Sequence, residues 1–139
     1  MISTDMEAVA RILNHPKVYD MITDDTCIPP VIPCAHHLHL MNEEKTAVLI
    51  LVPMNGITCE VHMAVLPELW GRAATFVREC IAWGWKNTRY MKAITYCPEY
   101  NRAAIALAKR CGFKEEGRVK DSFLKNWQLH DQIVFGLSK

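Results

Sequence analysis

The sequence predicts an α/β fold in which a mixed, mostly antiparallel sheet carries helices on both faces. Three strand-like runs near the middle of the chain are separated by hairpin turn sequences. After them, segments with strand and helix periodicity alternate. An antiparallel start followed by alternating elements is typical of a mixed sheet covered on both sides. With 139 residues, half of them apolar, the chain predicts one domain over 1–139.

The beginning of the chain predicts two short helices and then an extended connector. A helix start at Ser3 or Thr4 is indicated by the acidic residues that follow, and apolar residues recur at helical spacing as far as Leu13. We expect one or two further turns over 18–22. The run 27–33 contains three prolines, which exclude a helix, so it predicts a connector or lid that borders the functional site.

The middle of the chain predicts an antiparallel meander of three strands over 37–41, 46–53 and 57–66. The separators are turn sequences, and Asn55-Gly56 in the second supplies the positive φ angles that a tight hairpin needs.

The last part of the chain predicts an alternation of helices and strands. These elements are a helix over 72–83 closed by Gly84, a strand over 91–97, a helix over 101–111 closed by Gly112, and two closing strands over 113–119 and 132–137.

Composition narrows the functional class. The formal net charge is +1 and the charges are spread along the chain, so neither nucleic acid nor an anionic membrane is indicated as a partner. The six cysteines lie at wide, irregular spacings without a Cys-x-x-Cys pair, which predicts reduced thiols and a cytoplasmic protein. No run of eighteen apolar residues and no basic leader is present, so we expect neither membrane spanning nor secretion.

The segment 60–75 is the most informative part of the chain. Its apolar alternating run stops at Pro67 and turns directly into a helix start built from small residues. Helix N-termini present unpaired N–H groups and a positive dipole end. Small side chains at Gly71, Ala73 and Ala74 let an anion approach the backbone, which predicts a cradle for a pyrophosphate.

Two motifs carry a resemblance to a known family. The string 65–75, VLPELWGRAAT, resembles the acetyl-CoA signature of the GNAT superfamily of acetyltransferases, in which a strand leads into Gln/Arg-x-x-Gly-x-Gly/Ala and a helix. Trp70 takes the Gln/Arg place, Ala73 that of the first Gly and Thr75 that of the last residue. This form is also similar to the Trp-Gly-Lys-Gly-x-Ala version of acetyltransferases of ribosomal-protein N-termini. The string 101–113 is similar to the superfamily's Asn-x-x-Ala-x-x-Leu-Tyr-x-x-x-Gly-Phe helix.

The resemblance covers roughly residues 35–139 and implies a GNAT fold whose sheet splays apart to admit the pantetheine arm of acetyl-CoA. It assigns acetyl-CoA contacts to the main chain of Ala64, Val65 and Leu66 and to a loop formed by Trp70, Gly71, Arg72, Ala73, Ala74 and Thr75. Arg72 would add a cation. Asn101 would either bond the acyl-CoA arm or cap its own helix.

Acyl transfer to an amine needs a base for the ammonium and often an acid for the thiolate. Glu60 is the candidate base because it lies in an otherwise apolar strand, ten residues before Trp70, where several family members carry a catalytic glutamate. The alternative is a carboxylate on the solvent face of the strand. His62 shares the face of Glu60 by the period of two and would relay a proton, contact substrate or simply face water.

The chain departs from the family pattern in ways that affect catalysis. Ala73 lacks the positive-φ freedom of the glycine that is usual in its place. Thr75 stands where the family motif has Gly or Ala. Ala108 stands where many members carry a tyrosine acid. The acid would then be Tyr96, Tyr100, Cys97 or a water, or would be absent.

The predicted function is N-acetyl transfer from acetyl-CoA to an amine, by direct attack. The acceptor is predicted to be a protein or peptide amine because the sequence has no obvious acidic patch for a polyamine, and a homodimer or a protein partner is allowed. One alternative is a catalytically silent GNAT-like binding or assembly module, for example in a phage particle. Another is a metal-binding regulator built on the Cys and His residues of 34–39, although no second ligand pair favours a metal site.

Overall fold

The structure is a computed structural model that describes residues 1–139. Its helices are α1 Met6–Leu13, α2 Pro16–Ile22, α3 Ala74–Asn87 and α4 Arg102–Arg110, with a 3-10 turn at Pro67–Leu69. Its strands are β1 Leu38–Met41, β2 Ala47–Pro53, β3 Thr58–Val65, β4 Lys92–Pro98, β5 Lys114–Lys125 and β6 Gln128–Ser138. None of the helices is long and apolar enough to cross a membrane.

The six strands form one mixed sheet in the order β1-β2-β3-β4-β6-β5. All neighbouring pairs are antiparallel except β3 and β4, which are parallel. The antiparallel meander β1-β2-β3 and the mixed sheet are therefore as predicted.

The parallel pair β3–β4 is paired over only a short length. Its register runs from Thr58 opposite Lys92 to Glu60 opposite Ile94. Beyond that point β3 continues to Val65 and β4 to Pro98 without pairing to each other. The two strands therefore diverge, which confirms the predicted splay of the sheet.

Helices cover both faces of the sheet, as predicted. The buried residues of α1 and Val18 of α2 pack with Met41, Val48, Ile50 and Ala64 on one face. The larger core, on the other face, packs α3 and α4 against the inward side chains of β1 to β4 and β6. We call these the α1/α2 face and the α3/α4 face.

Local polar contacts determine where the first helix begins. The Asp5 carboxylate accepts a hydrogen bond from the Ala8 N–H over 3.0 Å, so Asp5 is the N-cap of α1. Ser3 instead accepts the N–H of Asp5 over 3.1 Å. The helix start therefore lies one or two residues later than predicted.

The end of α3 differs from the prediction. The helix continues through Gly84, which is buried and where an added Cβ would meet only Leu51, at an ordinary contact distance. It ends at Thr88, whose N–H and hydroxyl both donate to the Gly84 carbonyl. Gly84 therefore neither ends the helix nor is required there by close packing.

The closing hairpin is much longer than predicted. The strands β5 and β6 meet at a tight turn in which Asn126 and Trp127 both have positive φ angles, 53° and 61°. The hairpin tip docks on the loop after α2, where Asp24 and Asp25 accept the N–H groups of Leu124 and Trp127 over 3.3 and 2.8 Å. Mixed charges over 120–125 concealed this strand in the sequence.

Candidate active site

A cavity of about 760 Å³ passes through the divergence of β3 and β4. Glu60 and His62 line it from the α1/α2 face, whereas Val61 and Met63 line it from the α3/α4 face. The predicted connector after α2 borders the same cavity with Cys27 and part of the Pro-rich run. The cavity thus joins the two faces at the point where the sheet is open.

Unpaired main chain of β3 faces this opening. The Leu66 N–H donates to the Thr46 carbonyl over 2.8 Å, so the even-numbered residues of β3 direct their main chain toward β2. Because successive residues of a strand alternate, the odd-numbered residues present N–H and C=O groups to the gap. These residues are Val61, Met63 and Val65, although the Val61 N–H is already taken by the Ile94 carbonyl in the last rung of the parallel pairing with β4.

The register of β3 determines which of the predicted contact residues, Ala64, Val65 and Leu66, can reach a ligand in the gap. Only Val65 of the three faces the gap, and its carbonyl already accepts a hydrogen bond from Trp70 Nε1 over 2.9 Å. The free carbonyl acceptors on this edge therefore lie two and four residues earlier, at Met63 and Val61. The sequence did not indicate this because the direction of each main-chain group depends on the register with β2.

The loop before α3 presents a row of free N–H groups. Helix α3 begins at Ala74 with no side-chain cap, and the N–H groups of Ala73, Ala74, Thr75 and Phe76 make no hydrogen bond. Residues 70–75 do not themselves line the cavity, but it reaches the first turn of α3 at Val77. The first turn of α3 therefore offers an anion-binding N-terminus beside the cavity.

The backbone of this loop accommodates alanine in the glycine place. Ala73 has a φ of −88°, an ordinary value for any residue. The positive φ lies instead at Gly71, at +81°. The expectation that Ala73 lacks a needed conformational freedom is therefore wrong, because the left-handed residue is two positions earlier.

Arg72 is turned toward its own loop. Its guanidinium donates to the carbonyl of Glu68, and the side chain is exposed. Arg72 as an additional cation for a phosphate remains a prediction.

Asn101 caps its own helix, which was one of the two predicted roles. Its Oδ1 accepts the Ala104 N–H over 3.1 Å, and the residue also lines the cavity. Its Nδ2 makes no hydrogen bond, so the amide N–H₂ is free to donate. Next along the same helix face, Ala108 lines the cavity without a hydroxyl group.

Glu60 and His62 form a close pair in the cavity wall. Glu60 Oε2 lies 3.1 Å from His62 Nε2, and the two side chains are 27% and 53% exposed. The predicted sharing of one strand face is confirmed, and Glu60 is half-buried rather than on a free solvent face. The arrangement can pass a proton between a carboxylate, an imidazole and water.

The two candidate tyrosines are separated by the structure. Tyr96 lines the cavity, but Tyr100 does not. The Tyr100 ring packs against His130 with centroids 4.7 Å apart, and burial followed by the nearby charge of Asp20 raises its pKa. Cys97 also lines the cavity, and burial raises the pKa of its thiol to about 11, so it is protonated at neutral pH.

The histidines of the 34–39 segment do not assemble a metal centre. No group of three or more His, Cys, Asp or Glu side chains is placed to hold a metal ion. Cys34, His37 and His39 instead line the cavity.

No protein-family model matches the chain, and no curated protein matches its sequence. Solved structures do share its fold. A spermidine N-acetyltransferase SpeG chimera from Vibrio cholerae aligns with a TM-score of 0.65 and 20% identity, over 73% of this chain and 65% of that one. The spermidine/spermine N-acetyltransferase SpeG from Vibrio cholerae in complex with manganese ions aligns with a TM-score of 0.64 and 20% identity, over 73% of this chain and 64% of that one. A probable acetyltransferase aligns with a TM-score of 0.61 and 20% identity, over 68% of this chain and 55% of that one.

These likenesses show a GNAT fold, with the cavity at the point where β3 and β4 diverge. The chain spans slightly less than two thirds of the SpeG structures that it resembles. The resemblance of the first motif to ribosomal-protein acetyltransferases remains a prediction.

Proposed function

We propose that this protein transfers an acetyl group from acetyl-CoA to the nitrogen of an amine. The observation that carries the proposal is the cavity through the strand divergence, which has the Glu60–His62 pair on one face and on the other reaches α3 at Val77, next to the free N–H groups of residues 73–76. A thioester that enters from the α3/α4 face and an amine that enters from the α1/α2 face meet in this opening.

The helix start and the strand edge would bind the cosubstrate. The N–H groups of residues 73–76 donate to the pyrophosphate, which the positive end of the α3 dipole also favours. The pantetheine amides pair with the Val61 carbonyl and the free main chain of Met63 as an additional strand would. The free Nδ2 of Asn101 is a further donor to the arm.

The reaction is a direct attack at the thioester. The amine nitrogen bonds to the carbonyl carbon, the C–S bond breaks, and CoA leaves as a thiolate. Glu60 takes the proton that the amine loses, either directly or through His62, and Tyr96 protonates the thiolate. Tyr96 has this role in place of Tyr100 because it alone of the two lines the cavity.

Two features favour a second candidate, a silent GNAT-fold binding module. Ala108 supplies no hydroxyl in the cavity, and the Trp70 indole occupies the Val65 carbonyl on the edge of β3 that faces the gap. The protein or peptide acceptor, the possible homodimer and the assembly role remain predictions from the sequence.

Titration of acetyl-CoA into the purified chain by calorimetry tests the proposal. Thr75→Glu is the informative variant because Thr75 is exposed in the first turn of α3. A carboxylate there is favourable for the helix dipole but repels the pyrophosphate. We expect affinity for acetyl-CoA to fall by about tenfold or more, which is about 1.4 kcal/mol, without a lower melting temperature.

Thr75→Gln is the matched neutral control and should retain affinity. Unchanged affinity in Thr75→Glu would place the phosphates elsewhere. No binding to the wild-type chain at millimolar acetyl-CoA would remove the transferase and favour the silent module.

A further inference from the structure

His39 is a buried polar side chain without a partner. It lies on β1, is only 2% exposed and lines the cavity, and its Nε2 makes no hydrogen bond. An unsatisfied buried polar atom costs about 1–3 kcal/mol, so few are found in native proteins. A ligand in the cavity that bonds to Nε2 would account for its retention.

The register places His39 on the same face as the Glu60–His62 pair. Ile50 of β2 lies opposite His39 on one side and opposite His62 on the other. His39 is therefore two strands from His62, which corresponds to roughly 9–10 Å at the usual strand spacing, and the proposed base Glu60 lies two residues further along β3. A ligand that contacts both His39 and Glu60 would have to carry two polar groups separated by a comparable length.

The protonation state of His39 determines which polar group it can bind. Burial and then the charge of His37 lower its pKa, so the ring is neutral at neutral pH. The His37 backbone opposes this effect. Because a buried N–H without a partner is rarer than a buried acceptor without one, we assign the proton to Nδ1, and Nε2 is then an acceptor that requires an N–H or O–H donor.

The cavity between these two polar points is apolar and carries little charge. Glu60 is the single carboxylate that lines it, and no lysine or arginine does. On the α1/α2 face, the outer wall of the cavity is formed by Met21, Ile22, Val31 and Ile32. A polyamine would leave cationic groups unpaired against these side chains, which is unfavourable.

The acidic residues of the adjacent loop are already engaged. Asp24 and Asp25 accept main-chain N–H groups of the closing hairpin. Asp20 lies 3.3 Å from the ammonium group of Lys125. Each of the three carboxylates, Asp20 on α2 included, is therefore held by a contact within the chain, and none of them lines the cavity.

We propose that the acceptor is a monoamine on an apolar body with a hydrogen-bond donor at its far end, and that His39 Nε2 accepts that hydrogen bond. This inference rests on the proposed function and assigns the substrate class of the same site. In this arrangement Glu60 contacts the amine, the apolar wall packs on the body of the acceptor, and His39 binds the donor at its far end.

Tyramine and 2-phenylethylamine are a matched pair of probes because they differ by one hydroxyl group. At saturating acetyl-CoA we expect kcat/KM for tyramine to exceed that for 2-phenylethylamine by about fivefold to tenfold, the effect of one hydrogen bond of about 1 kcal/mol. Spermidine should be the poorest of the three. A tripeptide amide with an apolar first residue, assayed beside them, distinguishes a peptide source of the same chemistry from a small molecule.

Two variants of His39 separate binding from structure. In His39→Leu we expect the tyramine preference to fall to about one through a higher KM for tyramine, while the melting temperature does not fall because an unsatisfied polar atom is removed. His39→Gln keeps an acceptor near the position of Nε2 and should retain part of the preference. A purely structural His39 would lower the melting temperature and leave the preference unchanged.

The inference is overturned if spermidine is the best acceptor, if the tyramine preference survives in His39→Leu, or if a chain that binds acetyl-CoA acetylates none of these amines. Failure of the proposed function is recognised separately, since the chain would then not bind acetyl-CoA in the preceding titration.

Discussion

The indole Nε1 of Trp70 donates a hydrogen bond to the carbonyl oxygen of Val65 over 2.9 Å. Val65 is the last residue of β3, and its main chain faces the gap between β3 and β4. The bond therefore ties the loop before α3 to the end of the diverging strand. It also leaves the Val61 carbonyl and the main chain of Met63 as the free edge for a bound ligand.

Trp70→Phe tests whether this bond positions the loop. Phenylalanine keeps an aromatic ring but cannot donate, so the loop loses one hydrogen bond to the strand. We expect the Kd for acetyl-CoA to rise by about threefold to tenfold, the scale of one hydrogen bond worth about 1 kcal/mol. Isothermal titration calorimetry measures it. Trp127→Phe, at the exposed hairpin tip, is the control, and equal affinities in both variants would contradict the role of Trp70.

Gly71→Ala tests the left-handed residue of the loop. Gly71 has a φ of +81° and open space around its Cα, so an added methyl group meets no neighbour and only the backbone is strained. We expect the free energy of unfolding to fall by about 1–2 kcal/mol, measured by urea denaturation.

Gly56→Ala is the matched control, because Gly56 also has open space but no positive φ. It should change stability by less than about 0.5 kcal/mol. Equal effects at both positions would mean that the backbone angle at Gly71 is not the cause.

Glu60→Gln tests the proposed base. The amide is nearly isosteric but cannot take a proton, so turnover should fall by about 100-fold or more while acetyl-CoA affinity changes little. Steady-state kinetics with tyramine and calorimetry provide the two readouts. Glu79→Gln, on the exposed side of α3, should retain full turnover. A Glu60→Gln enzyme with normal turnover would exclude Glu60 as the base.

Stability at alkaline pH should report the buried thiols. Burial raises the pKa values of Cys59 and Cys97 from 9.0 to about 11, and burial with the charge of Glu79 raises that of Cys80 to about 12. The unfolded thiols therefore lose protons that the folded ones keep. This contribution to stability is fully present below about pH 9 and is lost as pH rises toward 11 and 12.

The expected result is a urea midpoint that falls steeply above pH 9 in the presence of a reductant. Each buried thiol adds a slope of about 1.4 kcal/mol per pH unit. Cys80→Ala should therefore fall less steeply than the wild-type chain. Equal slopes would show that Cys80 does not titrate differently in the folded and unfolded states.

Most of the helices and the meander could be predicted because their signals are local. Helical spacing located α1, and Asn101 and Gly112 bounded α4. Asn55-Gly56 located the second hairpin turn, but the predicted positive φ angles are absent from both residues. The length of the β5–β6 hairpin could not be predicted. Its turn uses a positive φ at Trp127, and its charged segment is stabilised by docking on Asp24 and Asp25, which are distant in sequence.

The sequence by itself determined the order of the elements, the small-residue helix start after Pro67 and the placing of Glu60 and His62 on one strand face, because each depends on spacing along a single element. Only the tertiary structure decided which main-chain groups face the gap, that Tyr96 rather than Tyr100 lines the cavity, and that His39 is buried without a partner. These features depend on strand register and on contacts between distant segments. Composition and local periodicity contain no information about either.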